Sequence, residues 1–96
     1  MVTFSFREYG KNLGTRPLGQ RVREQLLPLI EQNECVVLDF TGVNVVSNSF
    51  ADECIAKLLI EMPLAELKKR TTFCGLNPVA SECVLTALRR RHLSLA

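Results

Sequence analysis

The chain contains no tryptophan, one tyrosine and a single histidine, His92. One histidine cannot make the paired-ligand helix of a zinc peptidase or complete a zinc finger. It also leaves the serines without an imidazole base at any recognisable spacing, and no G-x-S-x-G surrounds them. His92 itself reads as a solvated side chain. The four cysteines (Cys35, Cys54, Cys74 and Cys83) form no C-x-x-C pair. Each falls on the apolar phase of its element and reads as a small core hydrophobe in a reducing compartment. No apolar run approaches the ~20 residues that cross a bilayer. Met1 is followed by Val-Thr-Phe-Ser rather than by a basic stretch and an apolar run, so no leader is expected. A strong charge of one sign is missing too. The net charge is +2, too small to argue for nucleic acid. These absences exclude common enzyme and metal classes, and the expectation is a cytoplasmic, non-catalytic protein without cofactor, metal, nucleic-acid or membrane contact.

Ninety-six residues make one domain spanning 1–96. Val2, Phe4 and Phe6 alternate with Thr3, Ser5 and Arg7, predicting a strand over residues 2–9. Residues 10–17, GKNLGTRP, read as a turn-rich connection. Leu18, Val22, Leu26 and Leu29 then give a helix with Pro17 in its first turn, ending irregularly near Asn33 because Pro28 removes a backbone hydrogen bond. CVVLDF, residues 35–40, suits a strand buried on both faces, and Val43–Val46 a second extended piece. Residues 49–62 form an amphipathic helix with Ile55, Leu58, Leu59 and Met62 inward and Glu53, Lys57 and Glu61 outward. A strand over 70–76 and a helix capped by Asn77 with Pro78 in its first turn close the chain. Strands alternating with helices argue for an α/β fold: a mainly parallel or mixed sheet of about four strands with three helices on one face or two.

Three groups of residues carry the functional reading. Ser47, Asn48 and Ser49 precede a helix, with Ser49 and Asp52 at capping-box spacing. The plain reading makes Ser49 an N-cap stabilising by about 1 kcal/mol. The functional reading makes Ser49 or Ser47 a phosphoacceptor beside an accessible helix entrance, with Phe50 as a docking knob or a staple. Asp39, Asp52 and Glu53 are the carboxylates. With no partnered nucleophile they suggest charge complementarity to a protein rather than acid–base work, and Asp39 before Thr-Gly is also a natural turn residue. The segment Gly14, Thr15, Arg16, Gly19 and Arg23 offers backbone N–H groups, a hydroxyl and two cations at a helix start. It could cradle a phosphate or nucleotide, although the P-loop pattern is absent. The basic runs Lys68–Arg70 and Arg89–His92 read as solvated helix ends, with an anionic partner as the alternative.

The stretch VVLDFTGVNVVSNSFADECIAKLL resembles the signature of STAS domains, the fold of bacterial anti-sigma-factor antagonists. It is more similar still to the STAS-like group labelled DUF4325. There a Leu-Gly-Thr-Arg-x-x-Gly-x-x-x-Arg segment precedes Asp-Phe-x-Gly-Val and Ser-Phe-Ala-Asp-Glu. Here these are Leu13–Arg16, Gly19 and Arg23, then Asp39-Phe40, Gly42-Val43 and Ser49–Glu53. The resemblance covers about residues 4–92. It implies a phosphorylation-sensitive interaction module without catalysis of its own. Its partner would be a histidine-kinase-like ATPase or a serine kinase, with weak homodimerisation as a further expectation. The STAS phosphoserine position falls on Asn48, and Ser47 replaces the usual Asp. Docking is expected to use Asn48, Phe50, Asp52, Glu53 and Asp39.

Overall fold

The computed structural model describes residues 1–95. Five short strands are joined by helices. They are β1 (Val2–Ser5), β2 (Asn12–Leu13), β3 (Val36–Asp39), β4 (Val45–Val46) and β5 (Thr71–Cys74). The helices are α1 (Arg16–Gln32), α2 (Asn48–Phe50), α3 (Leu58–Glu61), α4 (Leu64–Arg70) and α5 (Pro78–Leu95). A π-helical segment, Ala51–Ala56, joins α2 to α3, so residues 48–61 run as one central helix. The expected α/β class holds, with every strand pair parallel.

The strands divide into a three-stranded sheet ordered β1-β3-β5 and a two-stranded β2-β4 pair. Two expectations change here. The first strand ends at Ser5, because Phe6–Tyr9 tighten into a 3-10 turn. The glycine-rich connection that follows contains β2, which pairs with β4 and so ties the entrance of α1 to the entrance of the central helix. A helix over 64–70 went unforeseen, and Lys68, Lys69 and Arg70 form its last turn, as their reading as a helix end requires.

Strand alternation puts Val36 and Leu38 on one face of the sheet, both fully buried, beside Phe4 and Phe73 of the neighbouring strands. The opposite face carries Thr3, Thr72 and Cys74, all exposed, with Val37 half-buried among them. β3 is therefore covered on one face only, and the apolar core lies on that side. Cys74 is accordingly exposed, not a core residue, while Cys54 is buried. Burial pushes the Cys54 thiol pKa up.

The core holds three fully buried phenylalanines. Phe6 stacks on Phe40 with ring centroids 3.9 Å apart and meets Phe50 edge-on at 6.5 Å. The central helix packs between α1 and α5. α1 continues through Pro28 to Gln32. Its last carbonyls are met by the Asn33 side chain, donating to Leu29 O at 2.8 Å, and by Arg70, donating to Ile30 O at 3.4 Å. Gly75, at φ 75°, turns the chain from β5 toward α5 where any Cβ would strike the Thr41 backbone. Asn77 then caps α5 by accepting from Ala80 N at 2.8 Å, and its amide donates to Asn44 O at 2.9 Å.

Candidate functional site

The β2-β4 pair brings Gly14 beside Ser47. The Ser47 hydroxyl donates to Gly14 O at 3.0 Å and accepts from Phe50 N at 3.0 Å. Ser47, not Ser49, is therefore the N-cap of the central helix. Thr15 plays the same part for α1, accepting from Leu18 N at 3.3 Å. Ser49 is the second residue of the helix's first turn, half-buried, and Asn48 is exposed. Among the described residues neither side chain has a hydrogen-bond partner in the protein.

Phe50 is 0% exposed, which removes it from any docking surface: it is a core residue. Glu53 needs the same correction. It is 6% exposed and faces inward instead of lying on the outer side of its helix. The π segment explains the difference. Lys57 N reaches back five residues to Asp52 O at 3.0 Å instead of four to Glu53. The wider turn alters the phase at which Glu53 leaves the helix, and the Glu53 carbonyl accepts a hydrogen bond from Arg23 Nη1. The same guanidinium holds the Glu53 carboxylate at 2.8 Å, and Lys57 Nζ lies 3.0 Å from it.

Asp52 faces the other way, toward α5. Arg91 contacts it with Nη2 at 2.7 and 2.9 Å and Nε at 3.3 Å, a fork-like grip, and Arg16 Nη1 reaches it at 2.9 Å. Arg16 also touches Glu53 at 3.4 Å. For both carboxylates desolvation is the largest influence and acts upward. Hydrogen bonds and charge from Arg16 and Arg91 on Asp52, and from Arg23 and Lys57 on Glu53, together outweigh it, so both pKa values lie below the ordinary range. The Arg16 pKa is raised, chiefly by its bond to Asp52.

The Gly14–Arg23 segment and the Ser49–Glu53 segment are thus two halves of one internal lock. Gly19 completes it. A Cβ there would stand 3.0 Å from Glu53 Cβ and 3.3 Å from Phe50 O, so this glycine marks a close crossing of two helices and not an anion nest. With Thr15 capping α1, Gly19 at the crossing and Arg23 on Glu53, the expected phosphate cradle does not form. Of the two cations expected to hold a phosphate, Arg16, with a side chain 52% exposed, still faces solvent broadly and Arg23, at 20%, does not.

Asp39 acts as a turn residue. It accepts from Thr41 N at 2.9 Å and from Cys74 Sγ at 3.3 Å, and the bonds from Thr41 lower its pKa first of all. It takes no part in the surface around the central helix entrance.

That surface is a cleft of about 260 Å³ lined by Arg16, Asn48, Ser49, Asp52, Thr86, Ala87 and Arg90. Arg16, Asn48, Ser49 and Asp52 were singled out in the sequence. Thr86 was not, and Arg90 with the nearby Arg91 entered only as part of a run read as a solvated helix end, with an anionic partner as the alternative. The available signal was the four-residue spacing of Thr86 and Arg90, which puts a hydroxyl and a cation on one face of α5.

No helix among the described residues is long and apolar enough to cross a membrane. No curated protein and no solved structure matches the chain. A family model does, over residues 19–80, a stretch that contains Gly19, Arg23, Asp39 and the whole central helix. With that match, and with the small parallel α/β fold described above, the chain belongs to the family of STAS-like domains of unknown function (DUF4325).

Proposed function

We propose that this chain is a non-catalytic regulatory domain of the anti-sigma-factor-antagonist type. It docks a protein partner at the entrance of the central helix, and phosphorylation of Ser49 controls that docking. The observation that supports this reading is the division of labour between the two serines. Ser47 has both its donor and its acceptor engaged within the fold, by Gly14 O and Phe50 N. Ser49 lines an open cleft beside Arg16 and Arg90. A phosphate on Ser49 would add up to about two negative charges next to two guanidinium groups, a favourable setting that leaves the fold in place. The contact surface would be Asn48, Ser49, the exposed edge of Asp52 and Arg90, with Phe50 and Glu53 holding the helix from beneath. The partner would be a histidine-kinase-like ATPase or a serine kinase.

The test incubates the chain and ATP with a serine kinase or histidine-kinase-like ATPase from the same cell, with the site mapped by mass spectrometry. Phosphate is expected on Ser49, and Ser49→Asp is expected to lose the complex that the unmodified chain forms. Phosphate on Ser47, or equal binding by Ser49→Asp and the unmodified chain, refutes the reading.

A further inference from the structure

The cleft also has the chemistry of a ligand site in its own right. Its polar lining is dominated by donors. Arg16 uses only Nη1 in contacts with Asp52 and Glu53, so the rest of its five-donor fork is unengaged among the described residues. Arg90, Ser49 and Thr86 have no side-chain partner among those residues either. The one carboxylate in the lining, Asp52, is already gripped by Arg16 and Arg91, so it presents little uncompensated negative charge. Counting Arg23 and Lys57 on Glu53, five cations surround two carboxylates. The local excess is positive and several donors converge on one space.

We infer that this cleft binds a small phosphate monoester, with Arg16 and Arg90 facing the phosphoryl oxygens and the hydroxyls of Ser49 and Thr86 donating to them. A dianionic tetrahedral group matches both the charge excess and the number of donors. At about 260 Å³ the cleft lies just below the usual range for small-molecule sites, roughly 300–1,000 Å³, which favours a small ester over a nucleotide. The inference shares the cleft with the docking proposal but rests on the unengaged donors, not on modification of Ser49.

The test titrates the whole chain with phenyl phosphate and with inorganic phosphate at constant ionic strength, followed by calorimetry or amide chemical shifts. The unmodified chain is expected to bind phenyl phosphate at least as well as inorganic phosphate. Arg90→Ala should weaken binding by about tenfold or more, in line with a lost charge-assisted hydrogen bond. Arg90→Lys should recover part of that loss, and Thr86→Val should weaken binding by a smaller factor. Arg90 is exposed and bonded to nothing in the described fold, so the unliganded melting temperature of its variants should match the parent. No binding of either probe, preference for inorganic phosphate, or unchanged affinity in both Arg90→Ala and Thr86→Val overturns the inference. A chain that binds phenyl phosphate but is never phosphorylated on Ser49 keeps this inference and loses the docking proposal; the reverse result separates them the other way.

Discussion

Ser47 and Ser49 carry the same hydroxyl two residues apart, yet their surroundings give them different work. Ser47 closes the first turn of the central helix and ties it to Gly14 O across the β2-β4 pair. Ser47→Ala should therefore lower stability by about 1 kcal/mol, as lost N-caps do. Ser49→Ala should stay within about 0.5 kcal/mol of the parent, as expected for a residue outside the hydrogen-bond network. Urea denaturation of the two variants side by side checks this, and equal losses would contradict the capping assignment. Phe50 shows how far a sequence reading can carry. An apolar residue after a cap is compatible with a knob or a staple, and only the edge-on contact with Phe6 places it in the core. Truncating a phenylalanine so enclosed typically costs about 3–5 kcal/mol. A binding loss in such a variant would report on the fold before it reported on a partner.

At the scale of elements, the long periodic segments were legible and the short or irregular ones were not. α1, β3, β5 and α5 follow directly from apolar spacing, a Pro in the first turn and the Asn77 cap. β2 has two residues and owes its existence to a partner 33 positions away, Asn12 to Val45, which local pattern cannot supply. The π segment was invisible for a related reason: its sequence, ADECIA, suits an ordinary helix, and packing between α1 and α5 decides the wider turn. The candidate site divides the same way. Its motif residues were found, but their mutual pairing was not, since Arg16 and Arg23 meet Asp52 and Glu53 only once α1 crosses the central helix. Gly19 permits that crossing. Gly19→Ala gains about 1 kcal/mol of helix propensity. It also drives a methyl group against Glu53 and a backbone carbonyl, an overpacking cost of about 1–3 kcal/mol. Because the carbonyl cannot rotate aside, the net effect should be destabilising, read as a lower urea midpoint with an unchanged slope.

For the whole molecule, the paired carboxylates set how the fold responds to acid. The folded pKa values of Asp52 and Glu53 lie below the ordinary 3.8 and 4.5. A depressed carboxylate pKa contributes stability that is fully present above the unfolded value. That contribution fades as pH falls toward the folded one. The fold should keep its full stability at neutral pH and lose this share below about pH 4.5, progressively. Glu53→Gln should be less stable than the parent by about 2 kcal/mol at neutral pH, since it takes the countercharge from the half-buried Arg23 and Lys57. The gap should narrow as acid protonates Glu53 in the parent. Melting temperatures of both chains across that range provide the check, and a gap independent of pH would show that charge is not what Glu53 contributes.

The wide turn in the central helix has one more consequence, and it concerns length. Deleting a single position between Ala51 and Ala56 would restore ordinary winding and leave the two ends of the helix close to their present phase, because the wider turn already absorbs about one residue more than an ordinary turn. Ser47, pinned at one end, and Leu58, buried at the other, could then both keep their places. What the extra residue decides is local: it sets the direction in which Glu53 leaves the helix toward Arg23, so its loss would be felt at that pair before it was felt at either end.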